Sequence, residues 1–306
     1  MYYPYFLSLY SPFYTLFIII LMTSTSDSSP VIAFIGGGNM AEAILGGLYA
    51  QGHAHTSLRF SEPLDARLQY MTKKYPGVMA TNDNDQCVDG ADIVILAVKP
   101  QVLRTVVSDL SATLHKNPKI LIISIAAGIE SEAILRWLNA DYQAPLVRIM
   151  PNTPALIGEG AVGLFANKVV TQEQKELTER LLRSVSKELA WVETEALIDA
   201  ITGVSGSGPA YFFLMMEAME NAGIAVGLTP EDAKALTLQT CLGAARMAQE
   251  SEDDLATLRR KVTSPHGTTE AAIKSMEAAN IRQVIHDAVV AATDRSKELA
   301  EELGRE

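Results

Sequence analysis

A buried-strand pattern that runs into closely spaced glycines and then into a helix restricts this chain more than any other feature. Residues 31–47 read VIAFIGGGNMAEAILGG: a strand, then Gly36-x-Gly38-x-x-Ala41, then a helical run. Gly36 permits a tight turn and Gly38 lets a pyrophosphate approach the backbone. Ala41 lets helix and strand pack closely, with the helix N-terminus facing the phosphates. A glycine triplet alone is a weak signal. Here strand, loop and helix occur in order, as in a dinucleotide-binding fingerprint.

The rest of the first two thirds repeats that alternation. VIAFI (31–35), LRF (58–60), DIVILAV (92–98) and KILIISI (119–125) are near-continuous apolar runs, the mark of strands covered on both faces of a parallel sheet. PLVRIM (145–150), GLF (163–165) and AWV (190–192) read as shorter strands. Helices are predicted at about 39–52, 64–74, 84–89, 100–114, 130–138 and 172–188, the last opened by Thr171 with Gln174 in the capping-box position. After Trp191 the β-branched runs stop and the pattern is helical, broken at GVSGSGPAY (203–211), GLTPED (227–232) and TSPHGTT (263–269). The fold class is therefore α/β: a Rossmann-type dinucleotide-binding domain over 30–194, followed by an all-helical domain over 195–306. The helical run 209–227 carries more apolar surface than one face of a small bundle can bury, so it is either a subunit interface or a deeply buried central helix.

Composition removes several classes of function. The 306 residues carry a net charge of -11, which disfavours a nucleic-acid partner. Only Cys87 and Cys241 occur, far apart and without a His cluster, so neither a disulfide framework nor a metal site is expected and a reducing cytoplasm fits. Residues 1–29 differ from the rest. The stretch 2–22 has no charge, its apolar run 13–22 is too short to span a bilayer, and no basic region precedes it, so neither a membrane anchor nor export is expected. The simplest expectation is translation from Met22, with residues 1–29 outside the fold.

Candidate site residues cluster at predicted strand ends. Glu62 follows the second strand, where a carboxylate can take a ribose 2'-hydroxyl and repel a 2'-phosphate, or can simply be a solvated loop residue. The first reading tilts towards NADH or dual use, and Arg67 could rescue phosphate binding by reaching back. Asn84 can cap a short helix, face an adenosine, or both. Ala97-Val98-Lys99-Pro100 close the third run at the crevice, with Pro100 starting a helix. Ala126-Ala127-Gly128 either admit a flat nicotinamide or merely turn. In Ser264-Pro265-His266-Gly267-Thr268-Thr269, hydroxyls and free N–H groups ahead of a helix can cradle a carboxylate, or Thr268 or Thr269 can be an ordinary N-cap. His266 reads as an exposed loop residue.

Taken in order, GGGNMA, AVKP, SIAAG (124–128), RIMPNTPA (148–155), VSGSGPAY (204–211) and TSPHGTTEAAI (263–273) resemble the pyrroline-5-carboxylate reductases from about Val31 to the C-terminus. The resemblance implies an NAD(P)H-dependent oxidoreductase that reduces the C=N bond of 1-pyrroline-5-carboxylate to L-proline, the last step of proline biosynthesis. It implies NADPH or NADH as cofactor and a helical domain that dimerises, in some members into rings of dimers. Carried over by position, cofactor contacts fall on Gly36, Gly38, Asn39, Met40, Asn84, Ala97, Val98, Lys99, Pro100 and Ala127, with Glu62 added from its place on the second strand. Substrate contacts fall on Ser264, Gly267, Thr268 and Thr269, with the Thr269 hydroxyl towards the ring nitrogen as the catalytic group. One departure stands out: where the family usually has Gly-Gly, this chain has His266-Gly267, so a left-handed backbone at 266 would be strained. The nearest enzymatic rival, a 3-hydroxy-acid dehydrogenase of similar build, needs a Lys base on the first long helix of its second domain, and 203–223 contains no Lys. A non-catalytic NAD(P)-binding regulator would have no use for the carboxylate cradle.

Overall fold

The computed structural model describes residues 29–139 and 143–304; the expectation for the N-terminal segment falls on residues outside them. β1 (Ile32–Ile35) leads into α1 (Asn39–Ala50), followed by β2 (Leu58–Ser61), α2 (Asp65–Lys74), β3 (Met79–Thr81) and α3 (Asn84–Val88). The chain then crosses to β4 (Ile93–Leu96), α4 (Pro100–Leu114), β5 (Leu121–Ser124), α5 (Ser131–Trp137) and β6 (Leu146–Met150). It continues with β7 (Gly160–Ala166), α6 (Gln172–Leu182) and β8 (Ser186–Trp191). All eight strands form one sheet in the order β3-β2-β1-β4-β5-β6-β7-β8.

Period-two alternation sends successive side chains to opposite faces of the sheet. Ile32 and Phe34 join a core with Ile44 and Leu45 of α1, Met71 of α2 and Leu181 of α6. Ala33 and Ile35 join a second core with Val107 of α4 and Ile134 of α5. Both faces of β1 are thus covered, which is why its sequence is apolar without alternation.

Three elements depart from the sequence reading. β3 was not anticipated: it is a three-residue edge strand, too short for a pattern. β7 runs antiparallel to β6, because the 151–159 link is shorter than the roughly dozen residues a parallel crossover needs. The helix predicted to reach 188 ends at Leu182 and is followed by β8. Leu181, Val185 and Leu189 keep the i, i+4 spacing of a helix through that turn, which explains the misreading. The Thr171 capping box forms as predicted, with Gln174 N donating to Thr171 Oγ1 at 3.2 Å and Thr171 N to Gln174 Oε1 at 3.0 Å.

The remainder is helical: α7 (Leu197–Ile201), a π-turn (Thr202–Gly206), α8 (Gly208–Ala225), α9 (Pro230–Glu250), α10 (Leu255–Lys261), α11 (Thr268–Ala278) and α12 (Ile281–Gly304). The predicted break at 203–211 is therefore a widened helical turn and not a loop. α12 returns to the sheet domain, where Leu303 packs on the second core and Arg136 Nη2 donates to the Gly304 carbonyl at 2.9 Å. Among the described residues no helix is long and apolar enough to cross a membrane.

Within one chain α8 buries only Gly208, leaving Phe212, Phe213, Leu214 and Met219 exposed, and α9 exposes Leu236, Leu238, Leu242 and Met247. The buried-central-helix alternative is thereby excluded. Burying each such side chain contributes on the order of 1.5–3 kcal/mol, so a second surface over α8 and α9 would dominate their stability. Phe213→Asp is expected to give single 33.1 kDa chains with a lowered melting temperature in sedimentation and thermal-melt experiments.

Candidate active site at the switch point of the sheet

From β1 the chain works outward to β2 and β3, then crosses back to β4 on the other side of β1. That reversal opens a crevice at the carboxyl ends of β1 and β4, the place where doubly wound sheets take ligands. Gly36 has φ +100°, and a Cβ there would lie 2.8 Å from the Ala97 carbonyl oxygen, so only glycine fits. Gly38 caps α1 in extended conformation with no side-chain bond, and a Cβ on it would meet nothing within 4 Å. The N–H groups of Asn39, which is exposed, and Met40, which is partly so, are uncapped at the positive end of α1. Room for close backbone approach and these uncapped donors fit a pyrophosphate.

The other predicted contacts surround this loop. Ala97, Val98, Lys99 and Pro100 follow β4; Lys99 is the exposed N-cap of α4 and has no ion-pair partner among the described residues. Asn84 does not cap α3, because Asp83 takes that role by accepting from Gln86 N at 3.1 Å. Asn84 Oδ1 instead accepts from Ser61 Oγ at 2.6 Å, which holds the side chain at the tip of β2 with its amide nitrogen unpartnered among the described residues. Ala127 is half-buried after β5. Gly128 beside it is small for another reason: with φ +71°, a Cβ there would lie 3.0 Å from Leu299 Cβ of α12.

Glu62 is not a solvated loop carboxylate. It is 8% exposed, and accepts from Gly37 N at 2.9 Å and Leu64 N at 3.0 Å. Arg67 reaches back, but to protein: Nε donates to the Gly37 carbonyl at 2.6 Å and Nη2 bonds Glu42 at 2.5 Å. Lys74 also bonds Glu42, at 2.6 Å. Partial burial alone would raise the Glu42 carboxyl, but the hydrogen bonds and charges of Lys74 and Arg67 outweigh it and hold the group below its ordinary value. Arg67 and Lys74 are thus both paired with Glu42 within the protein.

The predicted substrate loop lies in the helical part. Gly267 is the N-cap of α11 and makes no side-chain cap, which corrects the reading of Thr268 or Thr269 as the cap. Backbone N–H groups at Thr268, Thr269 and Glu270 consequently have no capping partner. His266 adopts φ +59°, the left-handed conformation expected to be strained, and its N–H donates to Glu270 Oε2 at 2.9 Å. That bond, followed by the bond from Lys274, holds the Glu270 carboxyl below its usual value. Ser264 and Thr268 are exposed and Thr269 half-exposed. Among the described residues no hydrogen bond joins this loop to the crevice.

Sequence reasoning missed a buried polar joint. Arg148 of β6, 2% exposed, pairs with Glu195 at 3.2 Å, and Glu195 also accepts from Ser131 N at 2.6 Å. An arginine inside an apolar strand was the available signal. Asn152 in the MPNTP segment was missed as well. Its amide donates to the Ser205 carbonyl in the π-turn at 3.2 Å and its Oδ1 accepts from Ala161 N at 3.0 Å. Cys87 is buried and its thiol is pushed up to about 12 by desolvation, so it is inert at neutral pH. Among the described residues no group of three or more His, Cys, Asp or Glu is placed to hold a metal.

A mostly parallel sheet with a glycine loop at its switch point, followed by a helical dimerisation domain, defines an NAD(P)-dependent oxidoreductase of the Rossmann type. A family model described as NADP oxidoreductase, coenzyme F420-dependent, matches residues 31–128, and one for pyrroline-5-carboxylate reductase dimerisation matches 195–299. The chain is 49% identical over 278 residues to a pyrroline-5-carboxylate reductase of Pseudomonas aeruginosa, covering 91% of this chain and 100% of that one. A Haemophilus influenzae enzyme of the same name is 42% identical over 270 residues, covering 88% of this chain and 97% of its own. A solved pyrroline-5-carboxylate reductase from Coxiella burnetii superposes with TM-score 0.83 at 45% identity, covering 89% of this chain and 99% of that one. The chain belongs to the pyrroline-5-carboxylate reductase family.

Two measurements probe the crevice. Glu62→Gln keeps an acceptor for the Gly37 N–H and removes the charge, so the ratio of NADPH to NADH affinity in equilibrium titrations should rise on the order of tenfold. Equal weakening of both would mean that Glu62 acts only through the loop. Because the folded Glu42 carboxyl lies below its ordinary value, its stabilisation is complete above that value and is lost as pH falls through the folded one. The melting-temperature gap between the wild type and Glu42→Gln should thus be present at pH 7 and vanish in strong acid.

Proposed function

We propose that this chain is a pyrroline-5-carboxylate reductase that uses NADPH or NADH to reduce 1-pyrroline-5-carboxylate to L-proline, working in the cytoplasm as a homodimer or ring of dimers. The reading rests on one pairing: a dinucleotide crevice at the β1/β4 switch point and an uncapped α11 N-terminus on a dimerisation domain. When bound, the reduced nicotinamide supplies a hydride. Gly36, Gly38, Asn39 and Met40 hold the pyrophosphate, with Glu62 and Asn84 at the adenosine side and Ala97 to Pro100 and Ala127 lining the crevice towards the nicotinamide.

The chemistry asks little acid–base work of the protein. The ring nitrogen takes its proton from water; as hydride adds at C5, the C=N π pair moves to nitrogen and the product is a secondary amine. What the side chains must do is place the ring. The N–H groups of Thr268 and Thr269, with Ser264 and Gly267, hold the carboxylate at the positive end of α11, and the Thr269 hydroxyl orients the ring nitrogen. Since no hydrogen bond joins this loop to the crevice of its own chain, a second copy packed on α8 and α9 completes the site in this reading. Hydroxy-acid oxidation is disfavoured because α8 offers no lysine base.

Reduced-nicotinamide absorbance with the purified protein should fall only when 1-pyrroline-5-carboxylate is added. No oxidation from folded protein that still binds nucleotide would remove the assignment. Thr269→Ala should lower turnover roughly tenfold or more while nucleotide affinity is retained; equal loss of both would sink the role given to Thr269.

A further inference from the structure

Arg148 stands among buried apolar residues of β6, beside Ser124 on β5 and Phe165 on β7. A guanidinium so placed is destabilising unless a carboxylate meets it. Glu195 does, with Oε1 3.2 Å from Arg148 Nη1. The same carboxylate makes a second connection that ion pairing alone would not need: Oε1 accepts from Ser131 N at 2.6 Å and Oε2 from Ser131 Oγ at 2.5 Å. Ser131 is the first residue of α5, whose own N-cap, Glu130, makes no side-chain cap. Glu195 therefore supplies the missing cap from 64 positions further along the chain.

The placement of this cap matters. The segment 126–130 ahead of Ser131 follows β5 into the crevice and carries Ala127, while Glu195 is the first residue of the stretch matched by the dimerisation model. Leu299 of α12 backs the same segment at Gly128. The middle and the C-terminal side of the 126–130 segment are thus held by residues of the helical domain, at Gly128 and through Ser131, and that domain carries the predicted substrate loop.

We propose that Glu195 is a positioning residue for hydride transfer: through Ser131 its carboxylate fixes the nicotinamide-side 126–130 segment against the domain that holds the substrate. The inference rests on the reductase reading. Arg148 serves to hold Glu195 in place, and neither residue touches the reacting atoms.

Ser131→Pro is the sharpest test. Proline is well tolerated at the first helical position, so this variant removes both donors to Glu195 while leaving α5 and the Arg148 pair in place. Expected are a melting temperature close to wild type, NADH and NADPH dissociation constants within about twofold, and kcat lowered roughly tenfold or more, with a larger isotope effect from 4-deuterated nicotinamide. The double variant Arg148→Met/Glu195→Leu is the second arm. It removes both buried charges together, so stability should exceed that of Glu195→Leu alone while kcat stays low. Wild-type turnover in Ser131→Pro, or kcat that recovers with stability in the double variant, overturns the proposal. A wild-type protein that binds nucleotide without reducing 1-pyrroline-5-carboxylate would instead sink the reductase reading.

Discussion

At the switch point of the sheet the backbone of Gly36 passes so close to the Ala97 carbonyl that no side chain fits between them. The crevice depends on that approach. It brings the end of β1 against the end of β4, turns the chain through a positive φ, and aims the first turn of α1 at open space beyond Gly38. The loop is then fastened from the β2 side, where the Glu62 carboxylate takes the Gly37 N–H and Arg67 takes the Gly37 carbonyl. Both backbone polar groups of Gly37 are held by side chains, one from the residue after β2 and one from α2, so protein contacts alone fix the shape of the loop.

The helical domain obeys the opposite logic. α10 and α11 contain no buried residue, and α8 buries only a glycine. A domain of this size with so little interior does not offset the conformational entropy of ordering its backbone. It is tied to the sheet domain by few contacts: the Glu195 joint, Asn152 beneath the π-turn, Leu303 on the second core and Leu299 against Gly128. Burial against a second chain has to supply the rest.

How much of this could be read from the sequence follows from the range of the interactions. β1, the glycine turn and α1 were legible because strand pattern, glycines and helix are contiguous. The Thr171 box was legible because capping spans three residues. The reversal of β7 depends on which strand it pairs with, and the start of β8 hid behind a run of apolar residues at helical spacing, while its end at Ala190-Trp191 was legible. The Arg148–Glu195–Ser131 joint combines residues from three elements that no local pattern links. Glu62 is the instructive case at the site: position marked it, but only the fold shows its carboxylate bonded to the glycine loop.

The turn at His266 shows how strain and an uncapped helix end go together in the 263–269 loop. A side-chain-bearing residue at positive φ costs about 1 kcal/mol or more, and here nothing packs against the exposed histidine to enforce it. The compensating contact is Glu270, which takes the His266 N–H from the third position of α11. Glu270 does for residue 266 what a capping-box carboxylate does for the residue after it, and so leaves the N-cap position to Gly267. With no hydroxyl folded back onto the helix end, the N–H groups of Thr268 to Glu270 stay open to a carboxylate from outside. A serine or threonine N-cap would stabilise α11 better and close that opening. Mild strain at His266 and an uncapped helix are therefore two aspects of one arrangement, in which local stability is exchanged for an open helix end.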